Sequence, residues 1–511
     1  MFLDQSNEDE ELNPVLSGYF CKLVSLLISR KQKQLVPYIF SPKSMIIENL
    51  VRHVGQKSIS EILNKLITQI DSDFQPAIME QVRIKQQMVV EKLIEHLGPK
   101  KHEENNLNAS SIFQDMFEIK EFFNIICAKE NIQAIADFAC APMDENTKAS
   151  KTASLAVLNH IIQHHIEQAK KTDKKDFKPE NEDEDDMVQQ NNDDEENEED
   201  QDAGDSSLAN QANVLVEVLL GKISNLENIL QAAHDGTSVT NSVHGTPFVP
   251  LGQQRLRSVE LVLKMIQMKK EALNNRIAES QIPSHIMDLV KQFPWNNFLQ
   301  LKVINIFTEI LENQDNQDFI KAFLASSKVG PAIVEMQAQA MYTMESERQI
   351  RHGFMAVVVS ISNKLQKKYT AAAEPETAVI EYLDGVGEEW REFVDNELKA
   401  SNTNNEKTLG GCTTRNNMSE EDEKEDSNYD VQMEKIMARF TNFNQILSQN
   451  SGNDDDDDDD DDDTQEDKDD GNFDEDDDKD DSKAPDNFSS NDSDSGVKIQ
   501  VVKVPEPQEL A

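Results

Sequence analysis

Two acidic blocks limit how much of this 511-residue chain can fold. Residues 180–205 hold 15 Asp or Glu and no Lys or Arg, and residues 454–481 hold 21 acidic residues against two lysines, Lys468 and Lys479. Like charge at that density, with few apolar side chains, gains too little on collapse to offset the entropy of ordering the backbone. Together the blocks carry −34 of the formal net charge of −47, so the rest of the chain is only mildly acidic. They are expected to form a long disordered acidic insert, residues 171–207, and a disordered tail, residues 449–511, with residues 1–11 a further unstructured stretch.

The same balance argues against nucleic-acid binding, which needs a clustered Lys/Arg surface to displace counterions from phosphates. It favours partners with basic surfaces. The four cysteines, Cys21, Cys127, Cys140 and Cys412, show no Cys-x-x-Cys spacing and read as reduced, mostly buried thiols of a cytoplasmic or nuclear protein. The first residues are acidic where a secretory leader would be basic and then apolar, and no apolar run reaches the roughly 18 residues of a membrane span.

Between the blocks the chain reads as all-α. Asn13-Pro14 places a capping side chain before a residue whose fixed φ suits the first helical position. Leu16, Phe20, Leu23 and Leu27, with Tyr19, Val24 and Ile28 beside them, then recur as one broad apolar face. Ser41-Pro42 repeats the start signal for a helix over 45–54 that stops at Gly55. Further amphipathic stretches cover 59–70, 88–97 (stopped by Gly98-Pro99), 110–127, 132–141, 152–168, 208–230, 254–268, 284–293, 297–312, 331–346 and 355–365. Short helices with short joints and no strand signals predict an α-solenoid of HEAT/armadillo-like stacked helices, in two parts, residues 12–170 and 208–411. No crisp sequence repeat is present, and a compact helical bundle is the alternative. Residues 412–428 read as a linker and 429–448 as one more amphipathic helix. The segment Val497–Val504 alternates like a strand; it is either a motif that adds to a partner's sheet edge or a plain terminus.

Catalytic signatures are missing. The chain has neither G-x-x-x-x-G-K-[ST] nor G-x-G-x-x-G, no nucleophile elbow and no kinase motif set. His160 and His164 stand one helical turn apart, with His165 beside them, which suits either a metal or an ordinary helix face; no third ligand falls at a finger-like spacing. Ser419, followed by four acidic residues, and Thr464, ahead of Glu466 and Asp467, suit an acid-directed kinase, the alternative being an unmodified solvated loop. No cofactor is implied.

Several stretches, taken in chain order, resemble the SAPS-domain family, the regulatory subunits of protein phosphatase 6-type serine/threonine phosphatases. Leu12-Asn13-Pro14-Val15-Leu16 with Tyr19-Phe20-Cys21-Lys22 and Ile28-Ser29-Arg30-Lys31 is similar to the family's leucine-asparagine-proline helix. His53-Val54-Gly55 resembles its histidine-x-glycine turn, and Pro250-Leu251-Gly252 with Arg255-Leu256 its proline-leucine-glycine loop. Trp295-Asn296-Asn297-Phe298-Leu299 is the most specific match. Trp390, Phe393, Val394, Leu398, Asn402 and Asn405 keep the spacing of the closing motif. Arg351-His352-Gly353-Phe354-Met355 resembles an arginine-x-glycine-x-methionine step, but Ala356-Val357 stand where the family has glycine-histidine. The family usually has a further helical stretch ahead of its leucine-asparagine-proline helix, and here that helix follows almost at once.

The resemblance implies a non-catalytic regulatory or scaffold subunit that binds a phosphatase catalytic subunit, with an ankyrin-repeat-type third subunit as a further partner. Phosphatase catalytic signatures of the Gly-Asp-x-His-Gly and Gly-Asn-His kinds are missing from the chain itself. Candidate partner-binding residues are Pro250, Leu251, Gly252, Arg255, Trp295, Asn296, Asn297 and Phe298. For Trp295 and Phe298 the competing reading is core packing, for Asn296 or Asn297 a helix cap, and for Arg255 a charged helix face. The rival function is an acidic helical-repeat chaperone or transport-type adaptor whose Asp-rich segments bind basic cargo.

Overall fold

The computed structural model describes residues 12–407, apart from 71–73, 118, 143, 176–197, 232–239, 242–246, 313–315, 344–348 and 372–377. The chain divides into two units, Met1–Cys412 and Thr413–Ala511, and all described residues belong to the first. The linker, the expected helix over 429–448, the acidic tail, the strand-like segment 497–504, Cys412, Ser419 and Thr464 lie outside the described residues.

The first half comprises α1 (Pro14–Ile39), α2 (Ile46–Arg52), α3 (Lys57–Thr68), α4 (Pro76–Leu97), α5 (Glu103–Met116), α6 (Lys120–Ile126) and α7 (Lys129–Ala139). The second comprises α8 (Lys148–Lys175), α9 (Glu198–Leu220), α10 (Ile223–Gln231), α11 (Gln253–Gln267), α12 (Glu271–Glu279), α13 (Ile282–Gln292), α14 (Asn297–Glu312), α15 (Gln317–Ser327), α16 (Val329–Ala338), α17 (Met355–Ala371), α18 (Ala378–Val386), α19 (Glu388–Phe393) and α20 (Lys399–Asn405). A π-helical turn, Val394–Leu398, joins the last two. Two short antiparallel ribbons interrupt the helices: β1 (Thr240–Asn241) with β2 (Pro247–Phe248), and β3 (Met341–Thr343) with β4 (Gln349–Arg351).

The helices stack in rows, which makes the fold a solenoid and sets the bundle aside. In the second half α8, α11, α14 and α17 pack in succession, as do α9, α12, α15 and α18, and also α10, α13, α16 and α19. These are four successive three-helix units of armadillo type. In the first half α1, α3 and α5 lead into α8, while α2, α4 and α7 lead into α9. Polar links show that row neighbours are parallel. Cys21 with Glu61 and Ser25 with Lys65 join α1 to α3 at one offset of 40 residues, and Glu260 with Lys302 and Gln267 with Glu309 join α11 to α14 at one offset of 42.

The helices bury apolar side chains in a core continuous from Leu12 to Leu398. Phe307, Phe319 and Phe323 are none of them more than 1 % exposed; Phe307 of α14 meets Phe323 of α15 edge-on at 5.7 Å, and Phe319 of α15 meets Phe323 edge-on at 6.0 Å. Lys151 is an exception within that core. It is fully buried, its Nζ has no hydrogen-bond partner, and burial pulls its pKa down to about 8. Lys151→Met is therefore expected to raise the unfolding free energy by about 1–3 kcal/mol at neutral pH. The lowered pKa places the penalty of the charged form below about pH 8, so the gain should shrink as pH rises from about 8 towards 10.5. Urea titrations across that range measure it.

Where the helices differ from the sequence reading, local packing is the reason. Asn13 does cap α1, its side chain accepting from Val15 and Leu16 at 3.0 and 3.2 Å. The start of α2 is served not by Ser41-Pro42 but by Ser44, whose Oγ accepts from the Ile46 amide at 3.3 Å. The single helix expected over 110–127 is two, α5 and α6, because a turn at Phe117 lets that ring pack edge-on to Phe123 at 6.3 Å. The stretch 208–230 is likewise split at Gly221-Lys222 into α9 and α10, and residues 341–343, read as helix, form β3. The helices also run into the stretch assigned to the acidic insert, α8 to Lys175 and α9 from Glu198; Glu and Asp are residues that suit a helix's first turn. In α1 the expected apolar face turns only partly inward: Leu16, Tyr19, Leu23 and Leu27 are exposed and Phe20 and Val24 half-buried, while Ile28 of that face is buried together with Ser17 and Cys21 on the α3 side.

Candidate partner-binding edge

Except for the closing motif, which lies within α19, the π-helical turn and α20, the motif stretches singled out in the sequence lie at the starts of helices in one row. Leu12-Asn13-Pro14 begins α1, His53-Val54-Gly55 precedes α3, Pro250-Leu251-Gly252 precedes α11, Trp295-Asn296 precedes α14, and Arg351-His352-Gly353 precedes α17. Because α11 and α14 are parallel at an offset of 42 residues, Gly252 is level with Pro294 and Arg255 with Asn297. The start of α17 closes on the same place: a Cβ on Gly353 would stand 2.6 Å from the Pro294 carbonyl oxygen and 3.6 Å from the Trp295 ring. Only glycine allows that approach.

Each residue has a separate local reason for its position. Gly252 caps α11 at φ +82, a conformation that favours glycine. Asn296 caps α14, its Oδ1 accepting from the Leu299 amide at 2.9 Å, and the Gln300 Nε2 ties back to the Pro294 carbonyl at 2.7 Å. Trp295 therefore leaves the chain in a fixed direction. Its ring lies 5.4 Å from His352, which is stacked on Phe354 at 4.8 Å and meets Tyr342 of β3 at 5.6 Å. Burial lowers the pKa of His352, and its Nδ1 has no hydrogen-bond partner, so a neutral imidazole sits among the rings.

Of the eight candidates, this edge presents some and hides others. Leu251 and Arg255 are buried at 3 and 4 % exposure, and Arg255 Nη1 donates to the Leu251 carbonyl at 3.4 Å. They brace the loop from within. Pro250 and Asn296 are half-buried, whereas Gly252, Trp295, Asn297 and Phe298 reach the surface. Phe298 is 65 % exposed and Leu301, one turn on, 57 %; Met341 on the neighbouring ribbon is 52 % exposed. Leu301 and the Tyr342–His352 contact were missed in the sequence. Leu301 falls one helical turn after Phe298 and could have been found by that spacing; the ribbon contact has no local signal.

The histidines of α8 pack against aromatic rings. His160 stacks near Phe117 at 6.1 Å, His164 near Phe123 at 4.1 Å and His165 near Phe123 at 5.1 Å. No group of three or more His, Cys, Asp or Glu side chains suited to a metal occurs among the described residues. Cys127 is buried 3.9 Å from His165 Nε2, and burial pushes its thiol up to about 12, far from a reactive thiolate. His165 is pushed down to about 4, by burial first and then by His164 and Lys270. A neutral buried histidine supports the fold above the unfolded-state pKa of 6.5, and that support is lost as pH falls through about 4. His165→Leu should thus abolish up to about 3 kcal/mol of the acid-dependent loss of stability. Comparing urea midpoints of the two chains between neutral pH and pH 4 reads the difference directly.

These features define an all-helical repeat scaffold with an exposed aromatic edge. The chain belongs to the SAPS family, described as SIT4 phosphatase-associated protein, whose model matches residues 24–407. It is 22 % identical over 429 residues to serine/threonine-protein phosphatase 6 regulatory subunit 3 of Gallus gallus, covering 78 % of this chain and 46 % of that protein. It is 20 % identical over 363 residues to regulatory subunit 2 of Mus musculus, covering 65 and 34 %. A 126-residue stretch is 25 % identical to SIT4-associating protein SAP190 of Saccharomyces cerevisiae, covering 23 and 12 %. The chain thus spans about half the length, or less, of the curated relatives it matches.

Proposed function

We propose that this chain is a non-catalytic regulatory or scaffold subunit that binds a serine/threonine protein phosphatase catalytic subunit of the phosphatase 6 or SIT4 kind and modulates or targets it. The observation that carries the reading is the family match across residues 24–407, the span that folds as the repeat scaffold. The contact is proposed at the edge bearing Trp295, Asn297, Phe298 and Leu301, where large apolar rings stand on rigid helix starts, as an interface hot spot requires. Modulation would then act by position: a scaffold that holds catalytic subunit and substrate together makes their encounter intramolecular. An ankyrin-repeat-type third subunit and a cytoplasmic or nuclear setting belong to the same reading.

Titrating the full chain with a purified phosphatase 6-type catalytic subunit by biolayer interferometry tests it. Saturable binding that persists from about 0.15 to 1 M salt is expected of a packed apolar contact, since added salt screens only charges. Absence of binding overturns the proposal. The acidic blocks favour the second reading, an adaptor for basic cargo: histone-like proteins would then bind the full chain, release steeply with salt, and be lost on removing residues 450–511.

A further inference from the structure

We propose that the cavity between α17, α18, α19 and the π-helical turn is a docking site for an arginine side chain of a partner protein. The cavity has a volume of about 230 Å³. That is less than the roughly 300 Å³ at which sites for whole drug-sized ligands begin, and it suits one long side chain. Leu383 and Trp390, 2 and 3 % exposed, are the buried part of its lining, with Val394 beside them. Gln366, Tyr369, Asp384, Arg391 and Asp395 complete it. The π-helical turn supplies Val394 and Asp395; such a turn puts an extra residue into a helix and recurs at functional sites. Trp390 and Val394 belong to the closing motif, which the edge bearing Trp295 does not use. Gln366 stands about 16 Å along the axis from Met355, where α17 begins beside Trp295, so the cavity is a separate place on the scaffold.

Charge and shape identify the occupant. The lining holds two carboxylates, Asp384 and Asp395, against one cation, Arg391. Around it, the stretch Ala378–Leu398, which forms α18, α19 and the π-helical turn, contains seven Asp or Glu and no Lys or Arg besides Arg391. Lys364, Lys367 and Lys368 of α17 are not part of the lining, and Lys321 of α15 is paired with Glu381 at 2.5 Å. Asp384 is held in place by Tyr369, whose hydroxyl donates to its Oδ1 at 3.2 Å. The Arg391 guanidinium reaches the same oxygen only at 3.5 Å, from a side chain 63 % exposed. So loose a surface pair competes weakly with an incoming cation. The occupant must bring a positive head for the carboxylates and an apolar surface for Leu383, Trp390 and Val394. Arginine has both. Its guanidinium is flat and weakly hydrated, packs on aromatic rings and takes a carboxylate through two N–H groups, whereas the lysine ammonium is compact and strongly hydrated. The apolar stem of arginine covers the rest of the buried lining.

The chain has two tryptophans, so fluorine NMR of the full chain labelled with fluorotryptophan gives one line for Trp390 and one for Trp295, assigned by the line that Trp295→Phe removes. The probe is acetyl-Ala-Arg-Ala with a free carboxylate, whose net charge is nil, so the acidic blocks exert no net attraction on it. The Trp390 line should shift saturably with a dissociation constant on the order of 1 mM, and the Trp295 line should stay. The same peptide with citrulline, which keeps the shape and loses the charge, should bind at least about tenfold more weakly, and the lysine peptide about threefold. Asp384→Asn with Asp395→Asn, both exposed, should weaken binding of the arginine peptide at least about tenfold with the circular dichroism unchanged. Arg391→Ala should strengthen it about two- to threefold by removing the competitor, a gain that an unfolded variant cannot imitate. An unmoved Trp390 line, equal binding of the arginine and citrulline peptides, or asparagine variants that bind as before overturns the proposal. So does free arginine binding as well as the peptide, which would give the cavity to a small molecule.

Discussion

A Phe298→Asp chain should remain as stable as the unaltered protein and, on the proposed function, bind the phosphatase catalytic subunit about 100-fold more weakly. The two halves of that statement follow from one fact, the 65 % exposure of the Phe298 ring at the start of α14. A side chain with most of its surface in water contributes little to folding, and substitutions at such positions usually stay within about 0.5 kcal/mol. If the ring is a contact anchor, losing it costs about 2–4 kcal/mol of binding, a factor of tens to hundreds. A carboxylate left facing an apolar partner adds a desolvation penalty. Trp295 is a poorer test because its ring also seats His352 and covers Gly353, so its loss would disturb folding as well as binding. Ile84→Asp provides a control at comparable exposure, 52 %, on α4; it should leave binding unchanged. Equal affinities for the Phe298→Asp and Ile84→Asp chains would remove the edge from the interface.

The helical nature of the protein was legible because most helices bury one stripe, and burial writes itself into the sequence at the helical period. Asn13-Pro14 and the run Asn297–Glu312 were read to the residue. The repeat was not legible. Between the starts of α8 and α11 lie the acidic block and a short ribbon, whereas α11 and α14 follow closely, so the three-helix unit has no constant sequence period to detect. Inside and outside were confused where a helix has two apolar faces. Leu16, Tyr19 and Leu23 are as hydrophobic as any core stripe, and no property of α1 alone says that its smaller face, Ser17 and Cys21, turns towards α3. The candidate site was half legible for a related reason. Trp295 and Phe298 stand out by residue type, but their convergence with His352 depends on α14 and α17 being row neighbours, a fact of the stack and not of either segment. Arg255 misled in the opposite sense: a charged residue near a helix start reads as surface, and here its guanidinium is turned inward to its own loop.

Phe323→Ala should cost about 3–5 kcal/mol, the usual range for removing a buried phenyl ring and leaving its cavity. The ring is completely buried between Phe307 of α14 and Phe319 of α15, 5.7 and 6.0 Å away, so both the apolar burial and the edge-on ring contacts are lost together. The distribution of that loss is the more telling result. In a stack each unit touches only its neighbours, so stability is a sum of local terms and the array can open in parts. α15 packs on α12, α13 and α18, and none of the helices before α8 is among its main neighbours. Hydrogen exchange should therefore accelerate across α12 to α18 while α3 to α5 keep the protection of the unaltered chain, and the urea transition should split into two steps. A single transition displaced as a whole would mean that the core runs cooperatively from Leu12 to Leu398. Because α14 carries Phe298 at its start, the locally opened chain should also bind the catalytic subunit less well, although Phe323 itself never reaches the surface. Loss of binding with exchange unchanged, in Phe298→Asp, and loss of binding with exchange raised over α12 to α18, in Phe323→Ala, would separate the proposed contact surface from the packing that holds it in place.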